Sequence, residues 1–166
     1  MDTFLGLPGL HWAIIGATFA SVGGGIGSVM GISYVNNVAT GILVEDPEKF
    51  GGVLPLCVLP GTQGIYGFIT AVMVVLFYGL LAGGGTKIDG VTGFQIFLAC
   101  QPVCWNCLVS AIYQGFSAVA AAGMVAKRME EAGKALVFPV LVETYAALSL
   151  IISILLLLSI KTGAGL

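Results

Sequence analysis

One acidic residue, unlike the others, lies inside a long apolar run of the chain. Glu143 sits in an apolar run, nine residues after Lys134 and eighteen residues before Lys161. At about 1.5 Å per helical residue, this spacing predicts a carboxyl group deep inside the hydrocarbon of a bilayer. A carboxylate there costs several kcal/mol unless it is protonated, paired or bound to a metal ion. Glu143 is therefore predicted to be an ion-transport site, and a neutral glutamate that serves only packing is the alternative.

A second set of candidate ligand residues lies on one helical face earlier in the chain. Its members occupy positions i, i+3, i+4 and i+7 and are Leu59, Thr62, Gln63 and Tyr66. Thr62 and Gln63 supply neutral oxygens, and Tyr66 supplies a hydroxyl group. Pro60 and Gly61 disturb the helical hydrogen bonds locally, so that nearby carbonyl oxygens become available as further ligands.

Gln114, deep in a later apolar segment, adds another amide that needs a partner in lipid. Taken singly, each polar residue is explained by a hydrogen bond between helices. Together with one carboxylate, they predict an oxygen cage for a hard monovalent cation. Sodium needs several oxygens to replace its water shell, whereas a proton needs only the carboxylate and a hydrogen-bond acceptor. A divalent ion would require more negative charge than one Glu provides, so we expect Na⁺, with H⁺ as the alternative.

Three cysteines form a weaker candidate site at positions i, i+4 and i+7, namely Cys100, Cys104 and Cys107. The last two belong to the sequence CWNC, which has the spacing of a redox CxxC motif. Within an apolar helix, free cysteines more often act as small packing residues. Trp105, between them, is also expected to be a packing residue.

The composition requires a membrane environment for these groups. Of 166 residues, 58% are of apolar types and only 14 carry a formal charge, whereas a soluble domain of this size would carry about 40. A water-soluble globule and a disordered chain are therefore excluded, and six Lys and Arg against eight Asp and Glu leave no basic surface for nucleic acid.

The chain contains four charge-free stretches, each longer than the roughly 20 residues that cross a bilayer. They lie at 10–44, 50–86, 90–126 and 135–160, and the last is interrupted only by Glu143. Such long runs without two-residue alternation predict an all-α protein with four transmembrane helices.

The positive charges predict the orientation of these helices. The loops after the first and third helices hold Lys49, Lys127, Arg128 and Lys134, while the opposite side holds only Lys87 and Lys161. The positive-inside rule then places those loops in the cytoplasm and both termini outside. No Lys or Arg precedes the first apolar run, so we expect that helix to be retained rather than cleaved as a signal peptide.

The chain also repeats itself. A shift of 82 residues superimposes the first helical hairpin on the second without a gap from about Ile14 and Ile96 onwards. We therefore predict a parallel tandem duplication, with one hairpin at 1–86 and a second at 87–166 that carries Glu143, and not the inverted repeat of many transporters. Glu143 falls opposite Gly61 in this register. Glycines at four-residue intervals in the first helix, and a small-residue stripe in the third, predict close helix packing and concentric rings of helices.

Four segments carry a resemblance to a known family, namely EDPEKFG at 45–51, LPGTQGIYGF at 59–68, YQGFSAVAAAG at 113–123 and VETYA at 142–146. With these segments, the chain resembles the rotor-ring proteolipid of the V-type (vacuolar/archaeal-type) rotary ATPases, the K (or c) subunit, in its sodium-transporting bacterial branch. The resemblance covers essentially the whole chain. It implies a non-catalytic, multi-pass subunit of a bacterial cell membrane that carries ions across as a ring of identical subunits turns, coupled to ATP hydrolysis or synthesis.

The resemblance also implies a ligand set and partners. The sodium ligands would be the Glu143 carboxylate, the Thr62 hydroxyl, the Gln63 and Gln114 side chains and the Leu59 carbonyl, with Tyr66 hydrogen-bonded to Glu143. The implied partners are a stator membrane subunit that supplies an Arg, a central-stalk subunit and lipid.

Two other classes of protein remain as alternatives. A small four-helix multidrug/proton antiporter also uses a single membrane Glu, but that residue is expected in the first helix and without a tandem repeat. A structural or pore-forming proteolipid that transports nothing is the other class. In such a protein the clustered polar residues Thr62, Gln63, Gln114 and Glu143 would have no function.

Overall fold

The computed structural model describes residues 3–82 and 88–164. A short antiparallel hairpin of β1 (Thr3–Phe4) and β2 (Leu7–Pro8), which the sequence did not predict, precedes the helices. The helices are α1 (Gly9–Glu45), α2 (Phe50–Val58), α3 (Thr62–Phe77), α4 (Gly90–Lys127) and α5 (Ala132–Gly163). Short 3-10 turns at 47–49, 59–61, 80–82 and 129–131 connect or extend them.

Four helical segments in the described ranges are long and apolar enough to cross a membrane. They are Gly9–Glu45, Pro47–Phe77, Gly90–Lys127 and Met129–Gly163. The predicted four-helix membrane fold is therefore confirmed. The charge-free stretch 50–86 is not α-helical throughout, because α3 ends at Phe77 and Gly79 then adopts a left-handed conformation with φ of 60°.

The second span contains a local irregularity in the middle of its length. A 3-10 turn at Leu59–Gly61 joins α2 to α3. Pro60 lacks a backbone N–H and cannot donate the hydrogen bond that a regular helix requires at this point, so the tighter turn replaces one α-helical turn. The predicted disturbance at Pro60 and Gly61 is observed at that position.

Helices α1 and α4 pack closely against each other through glycines. A Cβ atom at Gly23 would lie 2.5 Å from the Cys104 carbonyl oxygen, and one at Gly31 would lie 2.3 Å from the Ala111 carbonyl oxygen. Real Cβ atoms do not approach so closely, so a larger side chain at either position would push the helices apart. The predicted close packing through small residues is confirmed.

The remaining helices form an outer layer on this pair. A Cβ at Gly67 of α3 would lie 2.3 Å from the Ala20 carbonyl oxygen of α1. Helix α5 packs mainly on α4, and the Tyr78 hydroxyl at the end of the second span donates to the Leu157 carbonyl at 2.7 Å. The chain therefore has two layers, with α1 and α4 in one and α2, α3 and α5 in the other.

The loops after the first and third spans lie at the same end of the molecule. Lys49 Nζ donates to the Ala126 carbonyl oxygen at 2.5 Å and lies 3.2 Å from an Asp46 carboxylate oxygen. Lys87, one of the cations used to predict the orientation, lies outside the described residues. The placement of the termini outside the cell remains a prediction.

The glycine packing can be tested by adding a single methyl group. We expect Gly31→Ala to lower the free energy of unfolding by about 1–3 kcal/mol, because the new Cβ overlaps α4 backbone. Gly41→Ala on the same helix is the matched control, since a Cβ there meets nothing within 4 Å. The control should be neutral or slightly stabilising, because Ala favours helix more than Gly by about 1 kcal/mol. Heating the detergent-purified variants and following the helical circular dichroism signal measures both changes, and equal midpoints would contradict the packing described.

Candidate functional site

The polar residues of the second span are positioned by its 3-10 turn. The Leu59 carbonyl oxygen accepts from the Thr62 backbone N–H and from Thr62 Oγ1, which lies 3.0 Å away. Thr62 Oγ1 also lies 3.3 Å from Gln63 Oε1. Three oxygens, from a main-chain carbonyl, a hydroxyl and an amide, thus lie side by side where α3 begins.

Two buried glutamines link the second span to the third. Gln63 and Gln114 both have 0% of their surface exposed. Gln63 Nε2 donates to Gln114 Oε1, and Gln114 Nε2 donates to the Pro139 carbonyl oxygen of α5 at 3.0 Å. Each amide thus has a protein partner at its oxygen and at its nitrogen, as buried polar groups require.

Glu143 receives hydrogen-bond donors at both carboxylate oxygens. Tyr66 Oη donates to Oε1 at 2.9 Å, and Gln114 Nε2 lies 3.4 Å from Oε2. An ionised carboxylate only accepts hydrogen bonds and fits both contacts. Glu143 is half-buried in the single chain, so one side of the site opens at the molecular surface.

The structure brings all six predicted residues into one continuous network across three spans. The network runs in the order Tyr66, Glu143, Gln114, Gln63, Thr62 and Leu59. In the ranges 3–82 and 88–164, no group of three or more His, Cys, Asp or Glu is placed to hold a metal ion. The network can therefore offer several neutral oxygens and a single negative charge.

Sequence reasoning missed two residues that support this network. The Pro139 carbonyl fixes the Gln114 amide, and Ser28 Oγ accepts from the Gly64 backbone N–H at 2.8 Å. A Cβ at Gly64 would lie 3.2 Å from Ser28 Oγ, so the glycine lets α1 approach the start of α3. A signal existed for Pro139, which precedes Glu143 by one helical turn and shares its face.

The cysteines pack against the glycines of α1. All three of Cys100, Cys104 and Cys107 are buried and free. A Cβ built at Gly23 would lie 2.8 Å from Cys104 Sγ, so the thiol fills the space that the glycine leaves. Trp105 departs from expectation, because its side chain is 58% exposed in the single chain instead of packed. Its Nε1 donates to Gln101 Oε1 at 3.1 Å.

The chain matches a family model, that of the ATP synthase C subunit, twice, over residues 15–74 and 97–156. The two matches begin 82 residues apart, which is the shift found in the sequence itself. The predicted tandem duplication of a helical hairpin is therefore confirmed.

Two relatives extend this similarity along most of the chain. The V-type sodium ATPase subunit K of Enterococcus hirae is 38% identical over 151 residues, which cover 91% of this chain and 93% of the relative. The A-type ATP synthase subunit K of Methanocaldococcus jannaschii is 35% identical over 149 residues, which cover 90% of this chain and 63% of the relative.

The link between the two buried amides can be measured as a coupling free energy. We expect Gln63→Leu and Gln114→Leu each to destabilise the protein, and the double variant to be more stable than the sum of the two losses by about 0.6 to 1.7 kcal/mol, because each single change removes one hydrogen-bond partner of the other amide. Gln101→Leu is the control partner, since within residues 3–82 and 88–164 the Gln101 side chain bonds only to its own helix, at the Phe97 carbonyl and at Trp105. In thermal unfolding, the destabilisation by Gln101→Leu should simply add to that by Gln63→Leu. A coupling free energy for Gln63 and Gln101 as large as that for Gln63 and Gln114 would contradict the network.

Proposed function

The chain belongs to the family of the ATP synthase C subunit, as a V-type member, and from this premise we propose that it carries Na⁺ across the membrane at Glu143. In this proposal, identical copies form a rotor ring, each Glu143 binds one ion, and rotation against a stator subunit moves the ion across the bilayer. The chain itself catalyses no reaction. ATP hydrolysis or synthesis takes place on other subunits, which a central stalk couples to the ring.

The observation that carries the proposal is the hydrogen-bond network that links Glu143 to four groups with a neutral oxygen that can bind a metal ion. These groups are the Leu59 carbonyl, the Thr62 hydroxyl and the Gln63 and Gln114 amides. Oxygen is the ligand that hard cations take, at about 2.3–2.6 Å for an ion the size of Ca²⁺, which Na⁺ resembles. Thr62 Oγ1 lies 3.0 Å from the Leu59 oxygen and 3.3 Å from Gln63 Oε1. Gln114 faces Glu143 with Nε2, so in this proposal its amide turns to present Oε1 to the ion.

The charge of the site favours a monovalent ion. One carboxylate and neutral donors become electrically neutral when a single Na⁺ binds, whereas a divalent ion would leave a net positive charge in the hydrocarbon. The name of the Enterococcus hirae relative, which is a sodium ATPase subunit, supports the same ion.

The mechanism follows from the cost of a bare charge in lipid. With Na⁺ bound, the site is neutral, and its half-buried side can face hydrocarbon as the ring turns. After the ion leaves, the carboxylate must stay beside water or the stator Arg, so the ring cannot turn freely in that state. Each charge that crosses the membrane is coupled to about 2.3 kcal/mol per 100 mV. The cytoplasmic position of the loops, with both termini outside in a bacterial cell membrane, belongs to the same proposal.

Carbodiimide labelling of Glu143 tests whether Na⁺ binds there. The reagent attacks the protonated acid, so we expect Na⁺ to slow labelling of the purified protein at fixed pH, and K⁺ at equal concentration to have much less effect. Glu143→Gln is the control and should not be labelled at this position. Labelling that depends on pH but not on Na⁺ would reject sodium and favour the proton-carrying rotor. A labelled dimer instead of a large closed oligomer in native mass spectrometry would favour the antiporter.

The ligand role of Thr62 can be separated from its structural role by using the tandem repeat. Thr144 occupies the equivalent position in the second hairpin, and its hydroxyl donates to the Leu141 carbonyl at 2.7 Å as that of Thr62 does to Leu59. We expect Thr62→Val to raise the Na⁺ concentration that protects Glu143 by about tenfold, which corresponds to the loss of about 1.4 kcal/mol of binding. Thr144→Val should leave it unchanged. Equal shifts in both variants would assign the effect to helix stability instead of ion binding.

A further inference from the structure

Helix α1 supplies none of the proposed sodium ligands, but it lies directly against the backbone that carries them at the start of α3. A Cβ at Gly24 would lie 2.5 Å from the Gln63 carbonyl oxygen, and a Cβ at Gly61 would lie 3.2 Å from Ile32 Cδ1. The two α1 residues are eight positions apart and share one face of the helix. One stripe of α1 therefore follows the ligand-bearing backbone at contact distance.

Ser28 lies at the midpoint of this stripe and makes a polar contact there. It is 6% exposed, and its Oγ accepts a hydrogen bond from the Gly64 backbone N–H at 2.8 Å. Gly64 lies in the first turn of α3, directly after Thr62 and Gln63. The hydrocarbon holds no water that could replace this bond, so the donor stays beside the serine. Ser28 thus ties the turn that carries two proposed ligands to α1.

The second hairpin contains the same serine without the hydrogen bond. The repeat equivalents of Ser28 and Gly64 are Ser110 and Ala146, and both are buried. Within 3–82 and 88–164, Ser110 Oγ has no hydrogen-bond partner, and Ala146 lies inside the continuous helix α5. The bond between helices therefore accompanies the span that is interrupted by a 3-10 turn.

One helical turn further along the stripe, the two hairpins again use equivalent contacts. Ile32 lies beside Gly61 in the first hairpin, and Gln114 Nε2 lies 3.4 Å from Glu143 Oε2 in the second. These two pairs are related by the 82-residue repeat. The stripe on α4 thus contacts the site through a proposed ligand, Gln114, whereas the polar contact of the stripe on α1 is made by Ser28.

We propose that Ser28 is a positioning residue for the sodium site. Its hydrogen bond to Gly64 holds the oxygens of Thr62 and Gln63 where they can reach an ion at the carboxylate. This inference rests on the proposed function and adds α1 to the helices that determine its ion affinity. A hard cation needs several oxygens at short range, whereas a proton binds to the carboxyl group itself. Loss of the bond should therefore weaken Na⁺ binding and leave protonation of Glu143 unchanged.

The Na⁺ concentration that protects Glu143 from carbodiimide measures this effect on the full chain in native membranes. We expect Ser28→Ala to raise that concentration by about tenfold at fixed pH, since a lost hydrogen bond of ordinary strength corresponds to about that change. The pH dependence of labelling without Na⁺ should stay as in the unmodified protein. Ser110→Ala is the matched control, because it removes the same atom at the repeat-equivalent position. It should leave the protecting concentration unchanged.

A second substitution separates the hydrogen bond from the space that the serine fills. Ser28→Cys keeps a side chain of similar size but replaces the hydroxyl oxygen with sulfur, which is a weak acceptor. We expect this variant to need as much Na⁺ for protection as Ser28→Ala, while the midpoint of its thermal unfolding stays close to that of the unmodified protein. Protection of Ser28→Cys at the unmodified concentration would assign the effect to packing and overturn the positioning role.

The remaining outcomes distinguish this role from the proposed function. If Na⁺ protects the unmodified protein but neither Ser28 variant shifts the protecting concentration, the positioning role is overturned and the sodium proposal stands. Equal shifts in Ser28→Ala and Ser110→Ala would also overturn it, because the second serine has no bond to the site. If Na⁺ does not protect the unmodified protein, the proposed sodium function is overturned together with this role.

Discussion

The structure depends on one constraint, which is that a carboxylate in hydrocarbon must be surrounded by groups that neutralise it or donate to it. In the described part of the chain, Glu143 has two such contacts, Tyr66 and Gln114, and both come from other spans. Three transmembrane segments must therefore meet at one depth. The glycines and the interruption at Pro60 contribute to that meeting, because they set where the donors and oxygens of α3 and α4 lie relative to the carboxylate.

Close packing supplies the accuracy that such a site needs. A helix pair separated by large side chains leaves room for rotation and sliding, whereas backbones in contact have few alternative arrangements. The glycines of α1 hold α4 at backbone contact, and α4 carries Gln114. Gly64 in turn brings Ser28 of α1 against the start of α3, which carries Thr62 and Gln63. The side chains that touch the site are thus fixed by glycines that do not touch it.

The two hairpins share their loop positions but differ where the network lies. Their 3-10 turns at 47–49 and 129–131 are 82 residues apart, but Gly61 stands where the second hairpin has Glu143. The first hairpin is interrupted at Leu59–Gly61, whereas α5 is continuous at the equivalent residues. The hydrogen-bond network joins Leu59, Thr62 and Gln63 of the first hairpin to the carboxylate of the second.

The sequence alone determined the four spans, the duplicated hairpin, the glycine stripe and the isolated carboxylate, because hydropathy, charge and helical period are properties of consecutive residues. It also determined that Thr62, Gln63 and Tyr66 share one face. Only the tertiary structure decided that Gln63 meets Gln114, that the Pro139 carbonyl holds that amide, and that Trp105 points away from the chain. These facts depend on the rotation and relative height of helices that are far apart in sequence. Helical period fixes which residues share a face, but not which faces meet.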